Sequence, residues 1–463
     1  MRFDRPCVFC LALLIGAACA DEPAGAPDAG GGSIDGTAGD ATPVDAGIAA
    51  DAGDAGDAAD ASAGSLTEVI VLDEGAPQAD VLVVFHDQAG TPLHVARTGA
   101  DGMARYALQA TGSITVATSP QGTQQLVTVL GVEPEERIRV GVAEPVRSRG
   151  GSITVTTTRA VTNAGDYVVD VGCTSQTVSS VTTPLTFDVA QGCIDASGET
   201  TVLAVSRMRD GTPYSYAVGR GHPTASGAPG SVPLSPWSVG WDELFLTVTN
   251  IPNGAFGIRA RAAALAGRVP FRAAFSPQIA AAFPGASSTI PLGYPRDLGE
   301  GVELFVDMAY GSQTAVEAET ILIRRRTTLP SQVTIDAPAE LLPAIAGFAV
   351  TSGARPEVNW TGAAALDAAD GAQIDLAWTT PARGWRVLMP PSGARPARLP
   401  ELPPELASWA VPTASPDQAV LYVFDIDAIP SYAALRVEQG TAALDAPLPA
   451  ADMELRFSVT SAP

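Results

Sequence analysis

The sequence predicts an all-β protein, built as tandem antiparallel β-sandwich domains that follow a signal segment and a disordered acidic linker. Three observations support this prediction. Short apolar runs with a period of two begin at residue 66, Gly and Pro separate them, and helical periodicity is nearly absent. The hydrophobic fraction of 46% over 463 residues is enough to fill several cores.

Charge and composition exclude several classes of function. The chain has 27 basic residues, all of them Arg, against 50 acidic residues, which gives a net charge of −23. Such an acidic chain repels nucleic acid and anionic lipid, so we predict no nucleic-acid partner. The absence of Lys excludes P-loop and Schiff-base chemistry, and three His are too few for most His-based sites. We therefore predict no catalytic residue, no cofactor and no metal site.

Residues 1–19 have the three-part pattern of an export signal. Two Arg precede the apolar run 8–15, which is far shorter than the ~20 residues of a membrane span. The string G-A-A-C that ends at Cys19 resembles the lipobox of bacterial lipoproteins, although Gly16 stands where that family usually has Leu. The resemblance implies a lipid on Cys19. Because Ala20 follows rather than Asp, it also implies an outer-membrane anchor, facing the periplasm or the cell surface. The alternative is cleavage after Ala20 and a secreted protein.

Residues 20–65 predict the disordered linker. They are almost wholly Ala, Gly, Asp, Pro, Ser and Thr, with ten acidic residues and no basic one. A segment of this composition buries too little apolar surface to offset the entropy lost on ordering. As a random coil it would reach about 37 Å, enough to hold a folded body clear of a membrane.

Residues 66–142 predict a first small sandwich of seven short strands. An Asp-Gly pair at 101–102 is typical of a tight turn, in which Gly supplies the positive φ. The string A-D-V-L-V-V-F at 79–85, with Gly90 in the first turn and Thr98 opening the second, resembles the carboxypeptidase regulatory-like (transthyretin-like) domain family. The resemblance implies a sandwich and no particular activity, because such domains are mostly non-catalytic.

Two of the three His lie in this region. His86 and His94 are symmetric about Gly90. Strand alternation directs Phe85 and Leu93 inward and both His outward, so we predict that the two His are exposed polar residues. A metal site is not predicted, because no Cys or third His follows in register.

Residues 143–336 continue with strand-like runs, as one large sandwich or two smaller ones. Cys173 and Cys193 are the only Cys beyond Cys19, and each lies just past a strand of a chain that we expect to be exported. Two strand ends at one rim of a sandwich can meet the ~5.5 Å Cα separation that a disulfide needs. We therefore predict a Cys173–Cys193 disulfide. The Arg run 324–326 is predicted to pair with nearby acids.

A long loop at residues 219–236 is the best candidate for a ligand site. It is rich in Gly and Pro, carries His222, and runs into Trp237, Trp241 and Asp242. Loops that carry aromatic and acidic residues are where sandwiches commonly bind ligands. We predict a weak ligand site of these four residues. The alternative is that the two Trp close one end of the sandwich.

Residues 337–463 predict a final seven-strand module. The segments V-N-W at 358–360, I-D-L-A-W at 374–378 and G-W-R-V-L at 384–388 resemble fibronectin type III-like and immunoglobulin-like sandwiches in Trp placement. Four of the six Trp lie between residues 360 and 409, and at strand positions they are predicted core residues. A row of exposed Trp would instead be a platform for sugars.

Together these observations predict a lipid-anchored protein of the bacterial envelope that acts as a binding or structural module and is not an enzyme. Its membrane contact would be through the lipid alone, with a glycan or an envelope protein as its partner. The alternative is a carbohydrate-active enzyme or glycan-binding protein that uses an acid pair or exposed Trp. A sequence with so many acids leaves that alternative open.

Overall fold

The structure is a computed structural model. It describes residues 66–73, 75–119, 124–141, 148–157, 161, 164–181, 183–272, 277–295, 301–312, 315–362, 364–392, 396–438 and 452–462. These residues form strands β1 to β30 and two short α-helices, α1 (Ala337–Glu340) and α2 (Tyr432–Glu438), which confirms the predicted all-β class. The predicted signal segment, Cys19 and the predicted linker lie outside the described residues.

A sheet of thirteen strands runs through the body of the protein. Its order is β18-β17-β21-β22-β30-β29-β26-β27-β7-β6-β3-β4, and β19 pairs with β17 as well. The strands are β3 (Leu82–His86), β4 (Pro92–Arg97), β6 (Gly112–Thr118), β7 (Gln124–Val132), β17 (Ala255–Ala266), β18 (Val269–Pro270), β19 (Gln278–Ala281), β21 (Val302–Ser312), β22 (Ala315–Arg326), β26 (Gly371–Thr379), β27 (Ala382–Met389), β29 (Gln418–Ile426) and β30 (Met453–Ala462).

This long sheet joins strands from distant parts of the chain. Its neighbours pair antiparallel except β27 and β7, which pair in parallel, with Trp385 opposite Leu126. One continuous sheet therefore contains strands from both the 66–142 region and the 337–463 region. The division of the chain into separate sandwich domains at these boundaries stays a prediction.

Three smaller sheets accompany the long one. The first contains β1 (Thr67–Asp73), β2 (Ala76–Pro77), β5 (Met103–Tyr106) and β8 (Arg137–Val140). The second contains β16 (Trp241–Thr249), β20 (Ser288–Pro295) and β23 (Gln332–Asp336). The third contains β24 (Ala346–Thr351), β25 (Glu357–Thr361) and β28 (Ala397–Arg398).

Both faces of the long sheet are buried in its middle. On β29, Tyr422 and Phe424 pack in the core shared with β1, whereas Leu421 and Val423 pack in the core on the opposite face. Strands covered on both faces read as continuous apolar runs, as the segment A-V-L-Y-V-F at 419–424 does. Burying each such side chain contributes about 1.5–3 kcal/mol before the entropy cost of folding.

A further sandwich lies between β8 and β16 in the chain. One layer contains β10 (Asp166–Asp170), β11 (Ser175–Val178), β13 (Thr200–Arg207) and β14 (Pro213–Gly221), and the other contains β9 (Arg149–Thr157), β12 (Leu185–Ala190) and β15 (Gly230–Leu234). We call these seven strands the central sandwich. Its β13 and β14 also contact β17 and Phe271 through a small second core that includes Leu203 and Tyr216.

The disulfide is confirmed. Cys173 follows β10 and Cys193 follows β12, and their Cα atoms are 6.0 Å apart in the disulfide. Each strand end comes from a different layer of the central sandwich, so the bridge ties its two layers together at one rim. The separation lies within the range that disulfide geometry requires.

Predicted turn chemistry also agrees with the structure. Gly102 has φ of +72°, and a Cβ there would lie 2.8 Å from the carbonyl oxygen of Val71, so only Gly fits. Thr98 is buried, where its Oγ1 accepts a hydrogen bond from the amide of Val81 and donates one to the carbonyl of Gln78. The resemblance to the carboxypeptidase regulatory-like family itself stays a prediction.

The predicted directions of two side chains in the first hairpin are wrong. His86 is fully buried, and Leu93 is 48% exposed. His94 lies opposite Phe85, and a register shift between Phe85 and His86 places His86 opposite Pro92 instead of opposite Leu93. Both faces of β3 are covered, since Val83 and Phe85 pack in one core and Val84 packs in the other, so alternation cannot direct any of its residues to solvent.

Candidate functional site

The structure separates His222 from the other predicted ligand residues. His222 follows the last residue of β14, where its ring lies 3.1 Å from the carbonyl of Gly198 and 3.5 Å from a carboxylate oxygen of Glu199. Tyr214, which contacts Trp241, lies near the first residue of the same nine-residue strand. At about 3.3 Å per residue, the two ends are roughly 25 Å apart.

Trp237 closes part of the central sandwich, as the alternative interpretation of the loop expected. Its Nε1 donates to Thr157 Oγ1 at 3.2 Å, and its ring meets that of Tyr167 edge-on at 5.7 Å. It is half-buried against the main core of the sandwich. The next residue, Ser238, forms an isolated β-bridge with Tyr216. At this bridge the chain passes from the core that contains Trp237 to the opposite side of β14.

Trp241 lies beyond that bridge, at the start of β16. Its Nε1 donates to the carbonyl of Tyr214 at 3.1 Å, and its ring meets Tyr216 edge-on at 5.2 Å. Tyr216 is buried, whereas Tyr214 is 45% exposed and Val239 is 66% exposed. Phe245, four residues further along β16 on the same outward face, is 41% exposed. We call Tyr214, Val239, Trp241 and Phe245 the aromatic strip.

Polar and rigid neighbours border the aromatic strip. Asp242 follows Trp241 and pairs in register with Tyr294, and Glu243 points outward between Trp241 and Phe245. Across the β16–β20 ladder, Pro295 lies directly opposite Trp241, and Pro291 lies directly opposite Phe245. Of the four predicted ligand residues, Trp241 thus lies at this exposed apolar surface, whereas strand alternation directs Asp242 to the opposite face of β16, the face of Leu244. Sequence reasoning missed Tyr214, Val239 and Phe245, which fit no motif.

Three of the four C-terminal Trp residues are core residues, as predicted, whereas Trp409 ends a short 3-10 helix (Pro404–Trp409) and is only partly buried. Trp360 and Trp385 are 1% exposed and Trp378 is 5% exposed. All three belong to the core between the long sheet and the sheet of β24, β25 and β28. A sugar platform made of these three rings is therefore incompatible with the structure.

A cluster of charged side chains lies inside the protein where the central sandwich meets the long sheet. Glu303 on β21 is 1% exposed and accepts two hydrogen bonds from Arg272, at 2.7 and 3.0 Å, and two from Arg325, at 3.0 and 2.9 Å. Burial alone would raise the pKa of Glu303, but the charges and hydrogen bonds of the two Arg lower it to about 2. Asp170, the last residue of β10, is 1% exposed in the same region.

The predicted pairing of the Arg run with acids is present. Arg325 binds Glu303, as described, and Arg324 binds both Glu454 and Glu340. Arg326 Nη2 lies 3.6 Å from Glu454. These ion pairs connect β22 to β21, β30 and α1.

A second group of charges follows the same face of the long sheet. Arg259 donates to Asp307 at 2.6 Å and to Glu319 at 2.8 Å. Burial raises the pKa of both carboxyls, and the charge of Asp307 raises that of Glu319 further, so the pair retains a proton near neutral pH. Asp307 is fully buried and Glu319 is 6% exposed, so this acid pair lies beneath Arg259 rather than in an open cleft.

The described part of the chain offers neither a cluster of metal-binding residues nor a membrane-spanning helix. No group of three or more His, Cys, Asp and Glu residues there could hold a metal ion. Within the same residues, no helix has the length and apolar character needed to cross a membrane.

Comparisons with known proteins do not assign the chain to a family. No family model matches it, and no curated protein matches it. Among solved structures, 23 chains match. One is described as the Bacillus anthracis TIE protein, with 9% identity over 54% of this chain and 45% of that chain, at a TM-score of 0.16. The match spans under half of that protein, and so low a score carries no argument about fold or function.

Proposed function

We propose that this protein is a binding protein of the bacterial cell envelope, held at the membrane by a lipid on Cys19 and acting by contact rather than by catalysis. The aromatic strip is the observation that supports this proposal most. Three of its four members are more than 40% exposed, although the cores around it are well filled. A cluster of exposed apolar side chains on a folded protein commonly marks a binding surface.

The surroundings of the aromatic strip favour a neutral glycan or a loop of an envelope protein as the ligand. Aromatic rings provide rigid contact area, and the outward acidic side chain of Glu243 can accept hydrogen bonds from hydroxyl or amide groups. The net charge of −23 and the outward Glu243 disfavour an anionic ligand at this surface. The alternative of a carbohydrate-active enzyme receives less support, because Asp307 and Glu319 lie beneath Arg259.

Replacement of Tyr214 by Ala together with Val239 by Ser should weaken binding to isolated cell-envelope material at least tenfold. Truncated central contacts commonly cost more than 1 kcal/mol each, whereas exposed side chains contribute little to stability. Binding is measured by co-sedimentation, with far-UV circular dichroism as the check of folding. Phe283→Ala, which removes an aromatic residue that is 65% exposed elsewhere, is the matched control. Equal binding by the double variant and the wild type would rule out the aromatic strip as the contact surface.

The lipid anchor has its own test. Radiolabelled palmitate should appear in the wild-type protein and be absent from Cys19→Ser, and the variant should move from the membrane fraction to the soluble fraction. A lipid chain supplies membrane affinity in proportion to its buried CH₂ groups, so its loss removes the attachment. If the variant fractionates as the wild type does, the anchor is not at Cys19, and the secreted alternative gains support.

A further inference from the structure

Arg261 differs from every other Arg of the buried cluster in its partners. It lies on β17, directly across from Phe305 on β21. Two residues before it on β17, Arg259 lies across from Asp307, and two residues after it, Ala263 lies across from Glu303. Its side chain points to the same face of the long sheet as Glu303 does, and the residue is 9% exposed. The guanidinium lies over the ring of Phe305, 5.4 Å from its centre.

No carboxylate of the described residues forms an ion pair with Arg261. Its one hydrogen bond runs from Nη1 to the carbonyl of Arg272, at a long 3.3 Å, and its buried Nε has no partner there. In contrast, Arg272 and Arg325 both bind Glu303, and Arg259 binds Asp307 and Glu319. A guanidinium has five N–H donors, so most of the donors of Arg261 are not used by the protein.

The charges around Arg261 do not balance. Among the described residues, three buried Arg, at positions 261, 272 and 325, stand against two buried acids, Asp170 and Glu303, which leaves an excess of one positive charge. The neighbouring Arg259 does not change this count, because the acid pair Asp307 and Glu319 retains one proton and offsets it. Burial, followed by the charge of Arg272, lowers the pKa of Arg261 to about 10, so it remains charged at neutral pH. A buried charge without a partner is strongly unfavourable, and an anion from solvent would relieve that cost.

We propose that Arg261 anchors an internal binding site for a small oxyanion, phosphate or a carboxylate. The planar guanidinium matches two oxygens of such an anion, and the unpaired Nε lies on the side of the fork that binds in this way. Phe305 forms an apolar wall beneath the guanidinium. Arg259, two residues away on the same face, has a side chain that is 33% exposed.

The experiment measures the melting temperature of the purified full chain while inorganic phosphate or acetate is added at constant ionic strength. At about ten times the dissociation constant, either anion should raise the melting temperature of the wild type by about 2–4 °C. Arg261→Met replaces the aliphatic part of the side chain and removes the charged guanidinium, so its melting temperature should not respond. Arg97→Met, which changes an exposed ion pair, should respond as the wild type does.

A second variant keeps the proposal testable if Arg261→Met does not fold. Arg261→Lys keeps a positive charge and loses the planar fork, so it should bind the anion at least tenfold more weakly than the wild type in calorimetric titration. The proposal is overturned if neither anion affects the wild type, or if Arg261→Met responds to the same extent.

Discussion

Replacement of Glu303 by Gln should lower the free energy of unfolding by about 3–5 kcal/mol, because removing one partner of a buried ion pair leaves the other charge uncompensated. Gln has nearly the shape of Glu, so packing changes little and the effect reports the charge. Here two Arg lose their shared carboxylate at once, and Arg261 loses the nearest acid that offsets its own charge. Urea unfolding at pH 7, followed by circular dichroism, measures the difference.

A surface ion pair provides the comparison for this result. Asp80 binds Arg97 at 2.9 Å, but its side chain is 81% exposed, so Asp80→Asn should change the free energy of unfolding by no more than about 1 kcal/mol. The contrast between the two carboxyls tests burial, since both are paired with Arg. A Glu303→Gln variant as stable as Asp80→Asn would show that the cluster is hydrated and that its charges are screened.

The strands and the disulfide could be predicted because their signals are local. Alternation along β16 already separates Leu244 and Leu246, which are buried, from Phe245, which is exposed. Cys173 and Cys193 each follow a strand by a few residues, and an exported chain favours their oxidation. Likewise, Trp360 and Trp385 lie within strand-like runs, and their size favours burial once a second layer covers the strand.

Pairing between distant strands could not be predicted from local patterns. Nothing in the sequence around Trp385 indicates that β27 lies beside β7, about 260 residues earlier in the chain, in a parallel register. The same limit applies to the charges on β21. Glu303 and Asp307 alternate with apolar residues, a pattern that is typical of a solvent-facing side, yet that side of β21 is buried.

The sequence predicts only part of the candidate site, because some of its residues come together through packing between strands that are distant in the chain. Trp241 and Asp242 stand out by residue type in a segment that follows a long loop. Tyr214 joins them only because the β13–β14 hairpin ends beside the start of β16, and that contact depends on how the central sandwich packs. His222 is near Trp241 in sequence, and the sequence therefore predicts a shared site. In the structure, β14 places His222 at the opposite end of the sandwich, beside Glu199.

Acidification should destabilise the wild type relative to His86→Gln by about 3 kcal/mol between pH 6.5 and pH 4. His86 is fully buried, and burial lowers its pKa from 6.5 to about 4, with the charge of Arg355 acting in the same direction and that of Asp87 opposing it. Between pH 6.5 and pH 4, the imidazole of His86 becomes protonated in the unfolded chain but stays mostly neutral in the folded protein. The contribution of His86 to the free energy of unfolding is therefore present above pH 6.5 and is lost as the pH falls toward 4.

The polar contacts of His86 explain why Gln is the suitable replacement. His86 Nε2 lies 3.1 Å from Thr115 Oγ1, which bonds Thr128 Oγ1 at 2.9 Å, and Trp385 Nε1 donates to Thr128 at 2.9 Å. This buried chain of hydrogen bonds crosses β3, β6, β7 and β27. An amide can keep the contact to Thr115 and does not titrate, so the overall fold should be retained.

The exposed His94 is the matched control, since it stacks on Tyr106 at the surface of the same hairpin. Urea unfolding at pH 7, 6, 5 and 4 is measured for the wild type, His86→Gln and His94→Gln. The buried acids, among them Asp307 and Glu319, titrate equally in all three proteins, so the difference between curves isolates the His.

The curve of His94→Gln should follow that of the wild type, and the curve of His86→Gln should be flatter by about 3 kcal/mol. If the wild type and His86→Gln have parallel curves, His86 takes up its proton in the folded protein as readily as in the unfolded chain, and the closed environment assigned to it is wrong.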